Sequence, residues 1–183
     1  MVVTASAAAA PLLVTERLEL WLPRKEDIAP MSAIVSDPAT GRFLAPQGGA
    51  AGHFQRFCRN AGSWLLYGYG AFMVRERGSG ALLGNCGVFH SVRGLGDDFD
   101  DAPEAGWILR RDKVGQGLAQ EAMRAVLVWF EREHGPQRIV CMISLGNEPS
   151  MRLAAKLGFA PLRETTLPEG DAVRLFERRV EKH

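Results

Sequence analysis

Cysteine is scarce in this chain. Cys58, Cys86 and Cys141 are the three among 183 residues, odd in number and widely spaced, with no CxxC or CxxxC pair. That count argues against a disulfide framework and against a zinc site, and a reducing cytosol fits best. Net charge is also lacking. Lys plus Arg is 22 against 21 for Asp plus Glu, a balance of +1, so the basic excess or stripe of a nucleic-acid binder is missing. The four histidines, His53, His90, His134 and His183, have no metal-ligand spacing, and no metal is expected. No apolar run approaches the roughly 20 residues of a membrane span, so no membrane partner is expected. The stretch Met1 to Val14 is apolar and Ala-rich, but it lacks a basic start and is broken by Thr4, Ser6 and Pro11, unlike a secretory signal. Residues 1–13 read as a loose arm and 14–183 as a single domain.

What is present is ordinary for a globular protein: 46% hydrophobic and 23% charged residues in 20.0 kDa. Size scaling expects about 9,000 Å² of folded surface, with about 20,000 Å² leaving water. A chain of this length folds as one domain without a staple.

The pattern alternates between strand and helix. Residues 15–22 place Leu18, Leu20 and Leu22 on one side of a strand. Residues 25–36 set Ile28, Met31, Ile34 and Val35 at helical spacing, stopped by Asp37-Pro38. Residues 39–51 read as a loop, and 52–66 as a second helix with Phe54, Phe57 and Cys58 inward. Ala71–Glu76 and Ala81–Ser91 form a hairpin across Gly78-Ser79-Gly80, with Gly84 and Gly87 as candidate bulge sites. A loop over 93–101 ends in an acidic run, Asp97 to Asp101, which could help draw in a cationic amine but is read as a solvated loop. Glu104–Arg110 is a strand, Arg111–Gln116 a tight loop, and Gly117–Glu133 a helix with Leu118, Ala122, Val126 and Phe130 recurring at i+4. Ile139–Ile143 reads as a buried strand, Pro149–Leu157 as a short helix ended by Gly158, and Ala172–Arg178 as a last strand. Cys86, Cys141 and Trp64, Trp107 and Trp129 read as core.

The loop Val114-Gly115-Gln116-Gly117-Leu118-Ala119 joins a strand to a helix. Two glycines permit a sharp turn and close approach of a ligand. The first amides of the helix have no internal partner and carry partial positive charge, so the segment fits a phosphate cradle as well as a plain turn. It is not a P-loop, because no Lys-Ser/Thr follows Gly117. It is a poor dinucleotide fingerprint: Gln120 stands in place of the third Gly, and no acid closes the next strand.

The segment resembles the coenzyme-A loop of the GNAT superfamily of N-acetyltransferases, Arg/Gln-x-x-Gly-x-Gly/Ala. The resemblance extends to Glu104–Leu109 as the preceding strand, to Asn147-Glu148-Pro149-Ser150 with Lys156-Leu157-Gly158-Phe159, and to Thr15-Glu16-Arg17-Leu18 with Asp37-Pro38. These last openings resemble the branch of ribosomal-protein N-terminal acetyltransferases. One departure is Asp112 where the family has Arg or Gln; it is expected to point to water. The resemblance implies a GNAT-like α/β (α+β) domain, a mixed, mostly antiparallel twisted sheet flanked by helices, splayed between Glu104–Arg110 and Ile139–Ile143 to hold acyl-CoA. It also implies acetyl-CoA as cosubstrate and an amine acceptor. The backbone of Ile108 and Leu109 would hold the pantetheine, the amides of Val114, Gly115, Gln116, Gly117, Leu118 and Ala119 the pyrophosphate, and Asn147 and Ser150 the pantetheine arm.

The chemistry sets further demands. A lysine amine near pKa 10.4 costs about 4.6 kcal/mol to deprotonate at neutral pH, an α-amine near 8 about 1.4 kcal/mol. A protein base is therefore useful, and Glu104 matches a glutamate used this way in related enzymes. The leaving thiolate needs a proton donor. Many relatives place a Tyr where this chain has Ala154, and Tyr67 and Tyr69 are distant in sequence, so Ser150 becomes the candidate acid. Two alternatives are a non-catalytic CoA-binding module and a transferase for a larger acyl-CoA. The acceptor, a protein N-terminus or a small amine, and the choice between monomer and homodimer carry no sequence code here.

Overall fold

The computed structural model describes residues 10–44 and 48–179, so residues 1–9 of the expected arm and His183 lie outside the described residues. Leu13, the last residue of that arm, forms with Val14 a short strand, β1 (Leu13–Val14), which pairs antiparallel with β2 (Leu18–Trp21). The alternation of Leu18 and Leu20 against Glu19 and Trp21 buries both leucines completely. A 3₁₀ turn over Lys25–Asp27 leads into α1 (Ile28–Ser36). Asp37 then caps a single turn, α2 (Pro38–Gly41), by accepting from the Thr40 amide, so the expected loop after residue 38 begins as helix. The long α3 spans Gly49–Tyr67.

The sheet continues with β3 (Ala71–Glu76), β4 (Leu82–His90) and β5 (Pro103–Leu109) in an antiparallel meander. One of the two candidate bulge glycines is a bulge: the β3–β4 register slips between Val74 and Arg75, opposite Gly84 at φ 147°. Gly87 stays in register opposite Ala71, where a Cβ would come within 2.4 Å of the Gly70 carbonyl. After β5 come α4 (Leu118–His134), β6 (Ile139–Ser144), α5 (Glu148–Lys156), β7 (Ala160–Thr166) and β8 (Ala172–Arg178). The spatial order is β1-β2-β3-β4-β5-β6-β8-β7, with β5–β6 the parallel pair and all others antiparallel.

The i+4 stripe of α4 explains its position. Ala122, Met123, Val126 and Phe130 are fully buried, and the helix packs on β2, β4 and β5. Burying Met123, Val126 and Phe130 contributes about 1.5–3 kcal/mol each. β7 was not expected from sequence. It is an edge strand with Pro161 and mostly outward-facing residues, and so lacks the alternation that reveals half-buried strands. No described helix is long and apolar enough to cross a membrane.

Candidate active site

β5 and β6 are paired at one register position, Glu104 opposite Val140, and part beyond it. The wedge between them is a cleft lined by Glu104, Trp107, Ile108, Cys141, Asn147 and Ser150. The opposite side of β5 stays paired with β4 over its whole length. Alternation along β5 decides which backbone groups face the opening. The Arg110 amide donates to the Leu83 carbonyl at 2.8 Å, and the Ile108 carbonyl is turned to Gly84 of β4. Period two therefore turns Trp107 and Leu109 towards the wedge. Of the two residues expected to offer backbone there, Leu109 does so; the Ile108 carbonyl is committed to β4, while Ile108 still lines the cleft.

At the wide end of β5, the 3₁₀ turn Arg111–Lys113 leads to Val114–Gly117, all exposed. Gly115 and Gly117 take φ 87° and 77°, a left-handed conformation that strongly favours glycine. Gly117 is the N-cap of α4 and offers no side chain to the first amides of the helix, which leaves them for an external acceptor. Leu118 is buried and Ala119 half-buried beside it. The acid of the first turn is drawn away from the helix end. Glu121 accepts from the Thr15 hydroxyl at 2.6 Å, the Arg17 amide at 2.9 Å and Arg17 Nε at 2.7 Å. Arg17 also donates to the Gln116 carbonyl at 3.0 Å. Asp112 is exposed and held by Arg110 in a two-bond pair at 3.0 Å, in keeping with its expected orientation, and Gln116 donates to its backbone carbonyl.

Comparison with known proteins decides the family. An acetyltransferase (GNAT) domain model matches residues 17–160. The chain belongs to the GNAT acetyltransferase family. A protein from Bordetella pertussis described as a GNAT-family acetyltransferase is 34% identical, with a TM-score of 0.79 over 91% of this chain and 98% of that one. A ribosomal L7/L12 α-N-protein acetyltransferase solved with coenzyme A shares the fold at 16% identity, with a TM-score of 0.70 over 92% and 97% of the two chains. The uncharacterized protein YkkB of Bacillus subtilis is 30% identical over 92 residues, about half the length of each chain.

Within this GNAT fold, the remaining expected residues fall on the cleft. Asn147 caps α5, accepting from the Ser150 amide at 3.3 Å. Ser150 Oγ accepts from Trp107 Nε1 at 3.2 Å, so Trp107, expected in the core, packs partly buried against it and also walls the cleft. Glu104 is 3% exposed at the narrow end. Arg93 donates to both of its oxygens at 2.7 Å, and the Ser91 hydroxyl donates to Oε2. Burial alone would pull Arg93 down, but the adjacent Glu104 carboxylate more than offsets it and raises the guanidinium.

Several features were not legible beforehand. Arg93 sits in an irregular loop, and only folding brings it to Glu104, 11 residues on. The acidic run beside it is not a merely solvated loop: Asp100 accepts from the amides of Arg93, Leu95 and Gly96, Asp98 pairs with Arg163, and Phe99 is buried. The expected inner face of α3 holds only at Phe57, half-buried against α1. Phe54 is 52% exposed and Cys58 is exposed, whereas Ser63 is buried and Arg56, Arg59 and Asn60 line the cleft. The helix borders the cleft with this polar face and the core with Trp64, which packs on Phe72 and Trp129. Cys141 also lines the cleft, and burial pushes its thiol up, with the Glu104 charge adding to the effect.

Proposed function

We propose that this protein transfers the acetyl group of acetyl-CoA to a primary amine by direct attack in a ternary complex. The observation that carries this reading is the wedge between β5 and β6, with a glycine loop at one end of β5 and a buried carboxylate at the other. The open edge at Leu109 and Trp107 suits the pantetheine amides. The amides of Val114 to Ala119 suit the pyrophosphate, with Arg17 fixing the loop through Gln116. Asn147 and Ser150 flank the arm. Acetyl-CoA supplies an acyl group already activated as a thioester.

Glu104 takes the amine proton, through water. A carboxylate has about four lone-pair sites. Oε2 accepts two hydrogen bonds and Oε1 one, so Oε1 keeps a free site. The Ser150 hydroxyl protonates the departing thiolate. The indole N–H can only donate, so the Trp107 bond occupies an acceptor site on Ser150 Oγ and leaves its own proton available to the cleft. A cysteine-bound intermediate is disfavoured. Burial pushes the Cys86 thiol up to about 12 and Cys141 well above its ordinary value, so neither supplies thiolate at neutral pH.

The test is thermal unfolding with saturating acetyl-CoA, with NAD and ATP as controls, followed by thiol release on adding amines. At a hundred times Kd, binding adds about 2.7 kcal/mol, or roughly 5–10 °C for this size. A shift with acetyl-CoA alone and release of free CoA with an amine is the expected result. No shift overturns the reading; a shift without turnover leaves a CoA-binding module; a preference for longer acyl-CoAs redirects it to another acyl group.

A further inference from the structure

The half of the cleft around Glu104 carries more positive charge than it can pair. Arg56 and Arg59 of α3 and Arg93 of the β4–β5 loop all line it. Two carboxylates also reach it, Glu104 and Asp171. Glu104 is committed to Arg93 through two hydrogen bonds at 2.7 Å, and Asp171 is exposed before β8. Among the described residues, no carboxylate or carbonyl bonds to Arg56 or Arg59. Residues 56, 59 and 60 follow one another at i, i+3 and i+4, so the two guanidiniums and Asn60 share one helix face.

That arrangement is unfavourable in the free protein. Burial, then the like charges of Arg59 and Arg93, pull Arg56 down to about 10, with Glu104 compensating only weakly. Arg59 is exposed yet lines the cleft; its guanidinium is also lowered, by partial desolvation first and Arg93 second, with Glu104 opposing. The helix packs through Phe57, Ser63 and Trp64, but the face that carries Arg56, Arg59 and Asn60 opens on the cleft. That face suits a ligand.

The CoA phosphates are not that ligand. The cleft that Arg56 and Arg59 line includes none of Val114–Ala119. Both guanidiniums feel the Glu104 charge, while Arg56 also reaches Ile108; the cradle follows Leu109, about 17 Å along the extended strand from Glu104. What lies near Glu104 is the acceptor. Resting on the acetyl-transfer reading, we infer that the acceptor amine carries its own anionic group, a carboxylate or phosphate, which Arg56 and Arg59 hold while the amine faces Glu104. The planar guanidinium fork matches either oxyanion in two-bond fashion. The same pair of charges disfavours polyamines and other purely cationic acceptors.

The test uses acceptors in pairs differing in the anion: glycine against glycinamide, O-phosphoethanolamine against ethanolamine, and the peptide amide Ala-Asp-Glu against Ala-Asn-Gln. The readout is the ratio of kcat/KM within each pair, for the wild type, Arg56→Gln, Arg59→Gln and the charge-keeping Arg56→Lys. The wild type is expected to favour the anionic member of at least one pair, and which pair responds separates a free amino acid from a phosphorylated amine or an acidic peptide. The Gln variants are expected to reduce that ratio by about 10- to 100-fold, the range of a hydrogen bond to a charged group, and Arg56→Lys to restore part of it. A wild-type ratio at or below one in every pair overturns the inference. So does a ratio that both Gln variants leave in place.

A separate measurement needs no turnover. Millimolar O-phosphoethanolamine or glycine, added with CoA, is expected to raise the melting temperature of the wild type and not of Arg56→Gln. Without ligand, Arg56→Gln should melt higher than the wild type, because it removes a poorly solvated charge. If anions stabilise the protein through Arg56 but no amine is acetylated, the acetyl-transfer reading falls and the anion site stands. If no anion shifts the wild type, the site falls.

Discussion

The Arg93–Glu104 pair offers the sharpest prediction, because one substitution tests a structural and a chemical role together. Glu104→Gln keeps the side-chain shape but removes the charge that Arg93 and Ser91 address. Breaking a buried pair from one side costs about 3–5 kcal/mol, since the remaining charge stays desolvated. The lower end applies here. The Arg93 side chain is 25% exposed, and the Gln oxygen still accepts one bond. About 3 kcal/mol in a chain of this length lowers the melting temperature by roughly 6–12 °C. Calorimetry at neutral pH reads it directly. The double variant Arg93→Met with Glu104→Gln should recover most of the loss, because replacing both partners by neutral groups is often nearly cost-free. Both Gln-bearing variants should also lose about 100- to 10,000-fold in kcat, the usual contribution of a general base, and the rate should become limited by the ionisation of the amine alone. A single variant that melts within about 2 °C of the wild type would refute the structural half of this reasoning. Full kcat in Glu104→Gln across pH would remove it as the base.

Two further outcomes follow from the same structure. Burial raises Glu121, but hydrogen bonds from Thr15 and Arg17 outweigh it and hold the carboxyl below its ordinary 4.5. A lowered carboxyl stabilises fully above the unfolded value and loses that contribution as pH falls through the folded one, so Glu121→Gln should flatten the fall in stability below about pH 4.5; unfolding curves of unchanged slope would sink the assignment. Among the thiols, Cys58 is exposed while Cys86 and Cys141 are buried with raised thiols. A thiol-disulfide reagent at mildly alkaline pH should label one cysteine rapidly in the folded chain and the other two upon unfolding. Fast labelling of Cys141 would reopen a covalent mechanism.

The fold was largely legible in the sequence because most of its elements bury one face. The stripe of α4, the alternation of β2 and the apolar run of β6 each record a neighbour at a fixed period. β7 left no such record, being an edge strand with little to bury. The glycine loop was legible for a different reason. Positive φ at two nearby positions restricts residue type directly, whatever lies around it.

The cleft was legible only where the backbone or a local cap builds it. Asn147 and Ser150 meet across one helical turn, and Leu109 is placed by strand alternation. The charged half is different in kind. Arg93 reaches Glu104 from an irregular loop, Trp107 reaches Ser150 from another element, and Arg56 and Arg59 arrive from a helix whose hydrophobic pattern points elsewhere. Reading α3 by periodicity places Phe54, Phe57 and Cys58 in the interior, and the structure keeps Phe57 half-buried while exposing Phe54 and Cys58. That failure is informative. Apolar burial sets the orientation of a helix when its inner face meets the core, at about 1.5–3 kcal/mol per large side chain. Here the helix meets the core through Trp64 and turns Arg56 to the cleft with Arg59 exposed beside it, so another interaction must favour those charges. Among the described residues the Glu104 charge, already bonded to Arg93, supplies only part of it, which is why the acceptor itself is the place to look.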